Sequence, residues 1–462
     1  MRLSHARRAI SVRFDDPNLV SCAGLVPVMA LAQRCGLAGL LTERLTIAAK
    51  GGANAAAKVL ALVAGMVCGA DSIDDMDLLR HGGMGRLFDG VRAPSTLGTF
   101  LRAFTFGHVR QLDAVAAGLL ARLAGTTAVL PDARKVVLVD LDDTVRQTYG
   151  YAKQGAGRGY TGIKGLNALL ATVSTPTSPP LIAATRLRKG STNSARGAAK
   201  LLADALATTR RCGATGLVIV RADSAYYGYE IIDACRRAGA RFSVTARLTP
   251  TVVKAIASID ELAWTPIRYP NAIYDEDDQR WVSDAEVAEV DFTAFTNRRR
   301  CEHVTARLIV RRVRRLNPAT MPPGQTEAFA VYRYHAVFTD SSEPMLAAEA
   351  THRDHAIVEQ VIAELKNGPL THLPSGRFTA NAAWLVCAAI SHNLTRTAGA
   401  LAGGRHRRSR TGTIRAQLIT TPARIAHSAH QQTLHLPRDW PFEPGLDELF
   451  RRALHDPLAP AA

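Results

Sequence analysis

The chain has 462 residues, 47% of them hydrophobic, which is long enough for roughly two to four domains with buried cores. Lys and Arg number 57 against 40 Asp and Glu, and the formal net charge of +17 favours a polyanionic partner, with nucleic acid ahead of a membrane surface. The seven cysteines are scattered without a CxxC pair, and no apolar stretch would span a bilayer, so we expect a cytoplasmic protein without structural zinc.

Residues 1–130 are predicted to form an all-helical N-terminal domain, because apolar residues recur at helical spacing between glycines. A pair of helices joined by a turn can enter a DNA groove, so this domain is a candidate for DNA binding or dimerisation. Many helical pairs have no such role, and that alternative stays open. The predicted helices span residues 25–45, 53–68, 72–79 and 95–123.

Residues 131–247 change to short apolar strands and are predicted to form the first part of an α/β core. The first three strands are predicted to form an antiparallel meander, and a pattern of helix, strand, helix and strand follows them. The predicted strands span residues 136–142, 166–174, 181–188, 217–220 and 241–246, and the predicted helices span 194–209 and 228–238.

Residues 248–335 are predicted to form a β-rich insertion, because strand-like stretches there are separated by Pro, Asn and charged residues. The core is predicted to resume over residues 336–402, first as a strand and then as two helices, the first of them stopped by Gly368-Pro369. Residues 403–462 are predicted to be a basic C-terminal tail.

The most unusual segment, residues 136–144 (VVLVDLDDT), ends a β-branched apolar run in three aspartates. Unpaired carboxylates are costly to bury at the end of such a strand. Strand alternation places Asp140 and Asp142 on one face and Asp143 on the other, so two carboxylates emerge side by side. A hard divalent cation such as Mg²⁺ would relieve their repulsion. The alternative is a strand end at which Asp143 caps the next turn.

Two further carboxylates complete a candidate set. Asp223 follows the apolar strand LVIV, at the strand end where active-site groups of α/β sheets cluster; alternatively it begins a loop or caps the next helix. On a predicted helix, Glu359 shares a stripe with His352 and Lys366, and His355 lies one turn before Glu359. Such a stripe is also typical of a solvated face. Three carboxylates together would suit two-metal phosphoryl transfer.

Arginines provide a candidate nucleic-acid surface. Residues 297–315 contain eight arginines, and residues 405–415 contain five more. Arg and Lys bind phosphates largely without regard to sequence, and the affinity is sensitive to salt. The alternative is a basic surface that is merely solvated. The first group consists of Arg298, Arg299, Arg300, Arg307, Arg311, Arg312, Arg314 and Arg315.

Several motifs occur in order along nearly the whole chain. They are STLGTFLR, LVDLDDT, Tyr149-Gly150-Tyr151, Gly159-Tyr160, RADSAYY, HRDHAIVEQVIAELK and the helix over residues 378–394. Together these motifs resemble the DDE transposases of bacterial insertion sequences. The likeness is greatest to the insertion-sequence 1380 family, which is related to the insertion-sequence 4 group.

The resemblance implies an RNase-H-like catalytic core with a β-rich insertion, and a cut-and-paste transposase that cleaves DNA at element ends and transfers the strands into target DNA. It implies that Asp142, Asp223 and Glu359 are catalytic and bind two Mg²⁺ ions, for which Mn²⁺ can substitute. Double-stranded DNA, as terminal inverted repeats and as target, is the expected partner of a homodimer located at the nucleoid. The expected DNA-binding residues are His352, His355, Lys366, Arg298, Arg299, Arg300, Arg311, Arg312, Arg314 and Arg315.

Relatives tend to carry a Tyr and an Arg, which contact the DNA end, where this chain has His352 and His355. Two other functions stay open. One is an RNase-H-fold nuclease that cuts DNA without joining it, and the other is a catalytically dead relic or repressor that only binds DNA. The intact set of three carboxylates argues against the second, because drift would remove costly buried carboxylates first.

Overall fold

The computed structural model describes residues 10–49, 51–149, 152–159, 162–267, 274–275, 280–281, 285–314, 332–428 and 431–456. Some residues named above lie outside this described part of the chain. They are Gly150, Tyr151 and Tyr160 of the motifs, the predicted DNA-binding residue Arg315, and the side chain of Arg314.

The N-terminal part is mainly helical, but it is not all-helical as predicted, because β1 (Leu19–Val20) pairs with a strand near the C-terminus. The predicted helix 25–45 breaks at Gly36, whose φ of 67° suits glycine. The predicted helix 95–123 also breaks, and Thr105 begins a new helix in a capping box with His108. The helices are α1 (Leu25–Arg34), α2 (Leu37–Arg44), α3 (Ala55–Cys68), α4 (Met84–Leu87), α5 (Pro94–Arg102) and α6 (Phe106–Thr126), with a 3₁₀ helix at Asp74–Leu79.

Within the described residues, one mixed sheet of ten strands runs through the molecule. At its centre is β2 (Val136–Gln147), whose β-branched apolar residues favour a buried strand. β4 (Lys164–Ser174) pairs antiparallel with β2, and β5 (Leu181–Lys189) pairs antiparallel with β4. On the other side of β2, β6 (Leu217–Ala222) runs parallel to it, and β7 (Arg241–Thr245) runs parallel to β6.

Helices connect the parallel strands. α7 (Ala198–Arg211) joins β5 to β6, and α8 (Tyr229–Arg237) joins β6 to β7. Both helices bury an apolar stripe in the core on one face of the sheet. At the sheet edge, the two-residue strand β3 (Gly157–Arg158) pairs with β4. The strands and helices predicted for residues 131–247 are therefore present close to their predicted positions.

The residues of the predicted insertion extend the same sheet beyond β7. β13 pairs antiparallel with β7, β12 with β13, and β11 with β12. β13 crosses the predicted boundary between residues 335 and 336, because its strand conformation continues without a break. The elements are α9 (Pro250–Ala257), β8 (Thr265–Ile267), β9 (Tyr274–Asp275), β10 (Arg280–Trp281), β11 (Ala285–Ala294), β12 (Val304–Arg314) and β13 (Tyr332–Thr339).

The C-terminal part returns to the N-terminal helices instead of extending away from them. β14 pairs with β1 and with β15, and Ile414, Leu418 and Leu449 are buried in a core shared with the N-terminal helices. The elements are α10 (Met345–Arg353), α11 (Ile357–Lys366), α12 (Phe378–Ala402), α13 (Thr411–Ile414), β14 (Ala423–Ser428), β15 (Gln431–His435) and α14 (Glu443–Phe450).

Two apolar cores lie on the two faces of the sheet. Alternate residues of β4 point to opposite cores, with Leu166 and Leu170 toward the helices of the N- and C-terminal parts and Leu169 and Val173 toward α7 and α8. In the described part of the chain no single helix has the length and apolarity to cross a membrane, although α1 and α2, bent by 54°, meet those criteria as a pair.

Candidate active site

Strand register places the aspartates of two neighbouring strands side by side. In the β2–β6 pair, Asp140 lies opposite Arg221, and in the β6–β7 pair Arg221 lies opposite Ser243. We call these three residues the inner row. Two residues further along the same face, Asp142 of β2 is level with Asp223, which directly follows β6.

Asp142, Asp223 and Thr245 of β7 form the next row, which we call the outer row. Burial and the nearby charge of Asp223 raise the pKa of Asp142 to about 7, and burial raises the pKa of Asp223 above its ordinary value. Among the described residues neither carboxylate has an ion-pair partner. Each accepts a local backbone hydrogen bond, from Asp143 N at 2.7 Å and from Ala225 N at 2.8 Å. A cation between them would be stabilising.

Asp140, in the inner row, is by contrast already neutralised. Its two carboxylate oxygens accept hydrogen bonds from Nε and Nη2 of Arg221 at 2.6 and 2.8 Å, and both side chains are buried. Nη1 of Arg221 donates to the carbonyl of Thr351 at 2.6 Å. Although burial opposes ionisation, hydrogen bonds from His355 and Arg221 hold the pKa of Asp140 below its ordinary value. Because both of its carboxylate oxygens already accept hydrogen bonds, Asp140 is not available as a metal ligand and instead supports the site from the inner row.

The two histidines of the candidate set pack onto the sheet. The ring nitrogens of His352 lie 2.9 Å from the hydroxyls of Ser243 and Thr245, and burial lowers the pKa of His352 to about 3. Nδ1 of His355 lies 3.0 Å from Oδ1 of Asp140, and the two histidine rings stack with centroids 6.3 Å apart. DNA contact by these histidines stays a prediction, and the burial of an uncharged His352 does not favour it.

The structure does not bring Glu359 into the outer row. The predicted helix is interrupted by a 3₁₀ turn at Asp354–Ala356, and His352 on α10 is buried whereas Glu359 on α11 is exposed. Glu359 is exposed on α11, which packs against β2, and Lys366 is half-buried at the end of α11. Across the described residues, no three His, Cys, Asp or Glu side chains are grouped closely enough to hold a metal ion.

Sequence reasoning missed three residues that surround the carboxylates: Arg221, Arg188 and Tyr226. Arg188 of β5 is buried, forms an ion pair with Asp143 and donates from Nε to Oδ1 of Asn167 at 2.9 Å. Tyr226 is 1% exposed, and its hydroxyl has no hydrogen-bond partner within the described structure. A signal for the arginines was present, because a basic residue inside an apolar strand requires a buried anion.

The outer row fits a hard divalent cation through the two carboxylates of Asp142 and Asp223, which are the oxygen ligands that Mg²⁺ and Mn²⁺ accept. Burial and the charges of Asp143, Asp142 and Asp223 raise the pKa of Tyr226, so its unpartnered hydroxyl lies near these carboxylates. A buried hydroxyl without a partner costs free energy, and a bound ion with its water shell would supply one.

The predicted DNA-binding arginines are divided between the two ends of β12. β12 and β7 both pair antiparallel with β13, so β12 runs parallel to β7. Arg311 and Arg312 therefore lie toward the end that carries Thr245, whereas Arg299 and Arg300 precede the opposite end of β12 and are exposed.

Some of these arginines already bind carboxylates. Arg312 is buried, donates to Glu261 at 2.9 Å and to Glu286 at 2.6 Å, and stacks on aromatic rings. Nη1 of Arg298 donates to Glu230 at 2.8 Å. Arg311 lies 3.5 Å from Glu349. Part of the arginine cluster therefore forms ion pairs that stabilise the sheet extension. DNA contact by Arg298–Arg300, Arg311 and Arg312 stays a prediction.

A family model described as "Transposase DDE domain group 1" matches residues 3–456 of the chain. No curated protein matches the chain in sequence. The family match includes every strand and helix described above, from β1 to α14.

Proposed function

Because the chain belongs to the family of DDE transposases, we propose that it cuts DNA at the ends of a bacterial insertion sequence and joins those ends to target DNA by a cut-and-paste route. The finer placement that we propose is the insertion-sequence 1380 family. In this proposal the substrate is double-stranded DNA, and two copies of the chain pair the two ends of the element at the nucleoid. The net charge of +17 supports a DNA substrate.

The strand order supports an RNase-H-like core. Three antiparallel strands, β5, β4 and β2, are followed across the sheet by the parallel strands β6 and β7, with α7 and α8 as the connections. The β-rich extension β8 to β13 lies in sequence between Asp223 and Glu359, as expected for an insertion between the second and third acidic residues.

The observation that carries the proposal is the outer row, in which the carboxylate of Asp142 within β2 stands level with that of Asp223 just after β6, and neither has an ion-pair partner among the described residues. Asp142 and Asp223 would hold a divalent cation there, and Glu359, exposed on α11, is the proposed third carboxylate. An ion held there would lower the pKa of an attacking water or 3′-hydroxyl and would offset charge on the leaving oxygen. Lys366 and the exposed arginines would bind the DNA backbone.

The test is cleavage of labelled DNA that carries the element ends, in the presence of Mg²⁺. Asp142→Asn and Asp223→Asn keep the side-chain volume but remove the negative charge, and we expect each to slow cleavage about a hundredfold or more. Asp291→Asn is the matched control, because Asp291 is exposed on β11, and it should cleave like the parent. Cleavage by Asp223→Asn at the parental rate would refute the proposal.

The same reaction separates a transposase from a nuclease. With target DNA present, a transposase produces molecules in which element ends are joined to target strands. Cleavage without any joined product would support a nuclease, and binding without cleavage in Mg²⁺ or Mn²⁺ would support a DNA-binding relic.

A further inference from the structure

Arg247 lies on the loop that follows β7, two residues beyond Thr245 of the outer row, and was not predicted to bind DNA. The backbone is fixed on both sides of its Cα atom. Ala246 N donates to the carbonyl of Ala336 at 2.8 Å, and Thr249 N donates to the carbonyl of Arg247 at 2.7 Å. Arg247 is exposed, so it is a solvent-facing cation on a well-positioned backbone.

The side chain of Arg247 is also fixed, because it is bound to the turn that follows Asp223. Its Nε donates to the carbonyl of Ser224 at 2.8 Å, and its Nη2 donates to the carbonyl of Ala225 at 3.3 Å. The carbonyl of Ser224 also accepts a hydrogen bond from Tyr227 N at 3.3 Å, so the turn does not depend on Arg247 alone.

These contacts limit the distance between the guanidinium of Arg247 and the carboxylate of Asp223. Ala225 N donates to Oδ1 of Asp223 at 2.8 Å, while the carbonyl oxygen of the same Ala225 accepts from Arg247 at 3.3 Å. The nitrogen and oxygen of one residue are less than about 4 Å apart, so the two side chains are at most about 10 Å apart. They form no ion pair with each other, which leaves a gap between them.

Arg247 has N–H groups to offer in that region. A guanidinium has five N–H donors, and the turn occupies two of them. Within the described part of the chain Arg247 has no carboxylate partner, whereas Arg298 and Arg312 are paired with glutamates. Paired N–H groups of arginine match the oxygens of a phosphate in geometry and charge.

We propose that Arg247 binds the phosphate of the DNA strand that is cut at the candidate active site, through the N–H groups that the turn leaves free. The inference rests on the proposed function, which supplies the DNA and a cation at Asp223. A phosphate with one oxygen on that cation and another on Arg247 fits the limited distance between the two side chains. Arg247 would thus fix the strand relative to Asp223.

The experiment compares two labelled element-end duplexes, one of which carries an uncharged methylphosphonate at the position of the cut. Fluorescence anisotropy measures their binding to the full-length protein in Ca²⁺, which takes the same oxygen ligands as Mg²⁺, and a gel checks that the DNA stays uncut. The parent should bind the uncharged duplex about tenfold more weakly.

Arg247→Gln should bind the ordinary duplex about tenfold more weakly than the parent and should not distinguish the two duplexes, because its partner is already lost. A role of Arg247 in the turn alone would leave the parental preference in this variant. Arg247→Lys keeps the charge without the paired N–H groups, and it should reduce the preference to about threefold. It serves as the second variant in case the glutamine variant does not fold.

Arg236→Gln is the matched control, because Arg236 is exposed near the end of α8, which leads to the opposite end of β7 from the outer row. It should bind both duplexes like the parent. A tenfold preference that persists in Arg247→Gln or in Arg247→Lys would overturn the inference, and so would a parent that binds both duplexes equally; a parent that still cuts and joins DNA then remains a transposase. Failure of the parent to bind element-end DNA would refute the proposed function and this inference together.

Discussion

Asp140, Asp142 and Asp143 stand within four residues of one another, yet their surroundings differ completely. Arg221 neutralises Asp140 from the neighbouring strand, and Arg188 neutralises Asp143 on the opposite face of the sheet. Among the described residues Asp142 has no ion pair, and its pKa is raised to about 7. Two buried arginines thus leave one aspartate of the three available to a cation.

The buried pair of Arg221 and Asp140 gives a stability prediction. Arg221→Met leaves Asp140 buried without its partner, and we expect the free energy of unfolding to fall by about 3–5 kcal/mol in urea titrations. Adding Asp140→Asn should recover part of the loss, because no unpaired charge is then buried. The control is Arg237→Met, which breaks an exposed pair with Asp233 and should cost at most about 1 kcal/mol. Equal effects of the two methionine variants would contradict the prediction.

His352 gives a prediction about pH. Its pKa is about 3 in the folded protein, against 6.5 for an ordinary histidine, because burial disfavours the charged form. Between these values the unfolded chain binds more protons than the folded one, so stability falls as the pH falls below 6.5. From pH 7 to pH 5 the loss attributable to His352 is about 2 kcal/mol. His352→Gln should remove that part of the pH dependence, measured by urea unfolding at both pH values; an unchanged slope would contradict it.

At the scale of elements, α10 and α11 show what a sequence pattern can and cannot predict. Spacing by seven residues predicts one continuous helix, in which His352 and Glu359 share a stripe. The chain instead makes a 3₁₀ turn at Asp354–Ala356, where Arg221 binds the carbonyl of Thr351 and Asp140 binds His355. These contacts come from strands about 130 and 215 residues away in sequence, so periodicity along the helix contains no information about them.

The turn after β5 gives a prediction at the same scale. Gly190 donates to the carbonyl of Gly155 at 3.0 Å, and a Cβ atom there would collide with the carbonyl oxygens of Gly165 and Gly157. Gly190→Ala should therefore lower the free energy of unfolding by about 3 kcal/mol or more. Gly39→Ala is the control: Gly39 is exposed in α2, no described heavy atom apart from its chain neighbours and the backbone of its own helix lies within 4 Å of its Cβ position, and the change should stabilise by about 0.5–1 kcal/mol. Equal destabilisation by both changes would contradict this account.

At the scale of the whole molecule, the strands of residues 131–247 were predictable because each is a local apolar run between turn residues. The pairing of β2 with β6 places Asp142 and Asp223 in the outer row. The sequence indicated this neighbourhood only because two predicted strands end in aspartates. The return of the C-terminal part was not predicted, because β14 pairs with Leu19–Val20 about 400 residues earlier in the sequence. The basic composition of residues 403–462 predicted a tail, but Ile414, Leu418 and Leu449 of this part are buried.

The charge of the molecule gives the last prediction. Although the net charge is +17, many arginines are held in ion pairs, so DNA affinity should depend on the exposed ones that are not. Arg299 and Arg300 are exposed beside β12, and losing both should reduce the slope of log affinity against log salt by about 2, one per lost phosphate contact. Fluorescence anisotropy with labelled duplex DNA at several salt concentrations measures this slope. The control is Arg134→Ala, because Arg134 is exposed just before β2, and this variant should keep the parental slope. If the double variant Arg299→Ala with Arg300→Ala also kept the parental slope, the DNA would bind elsewhere on the molecule.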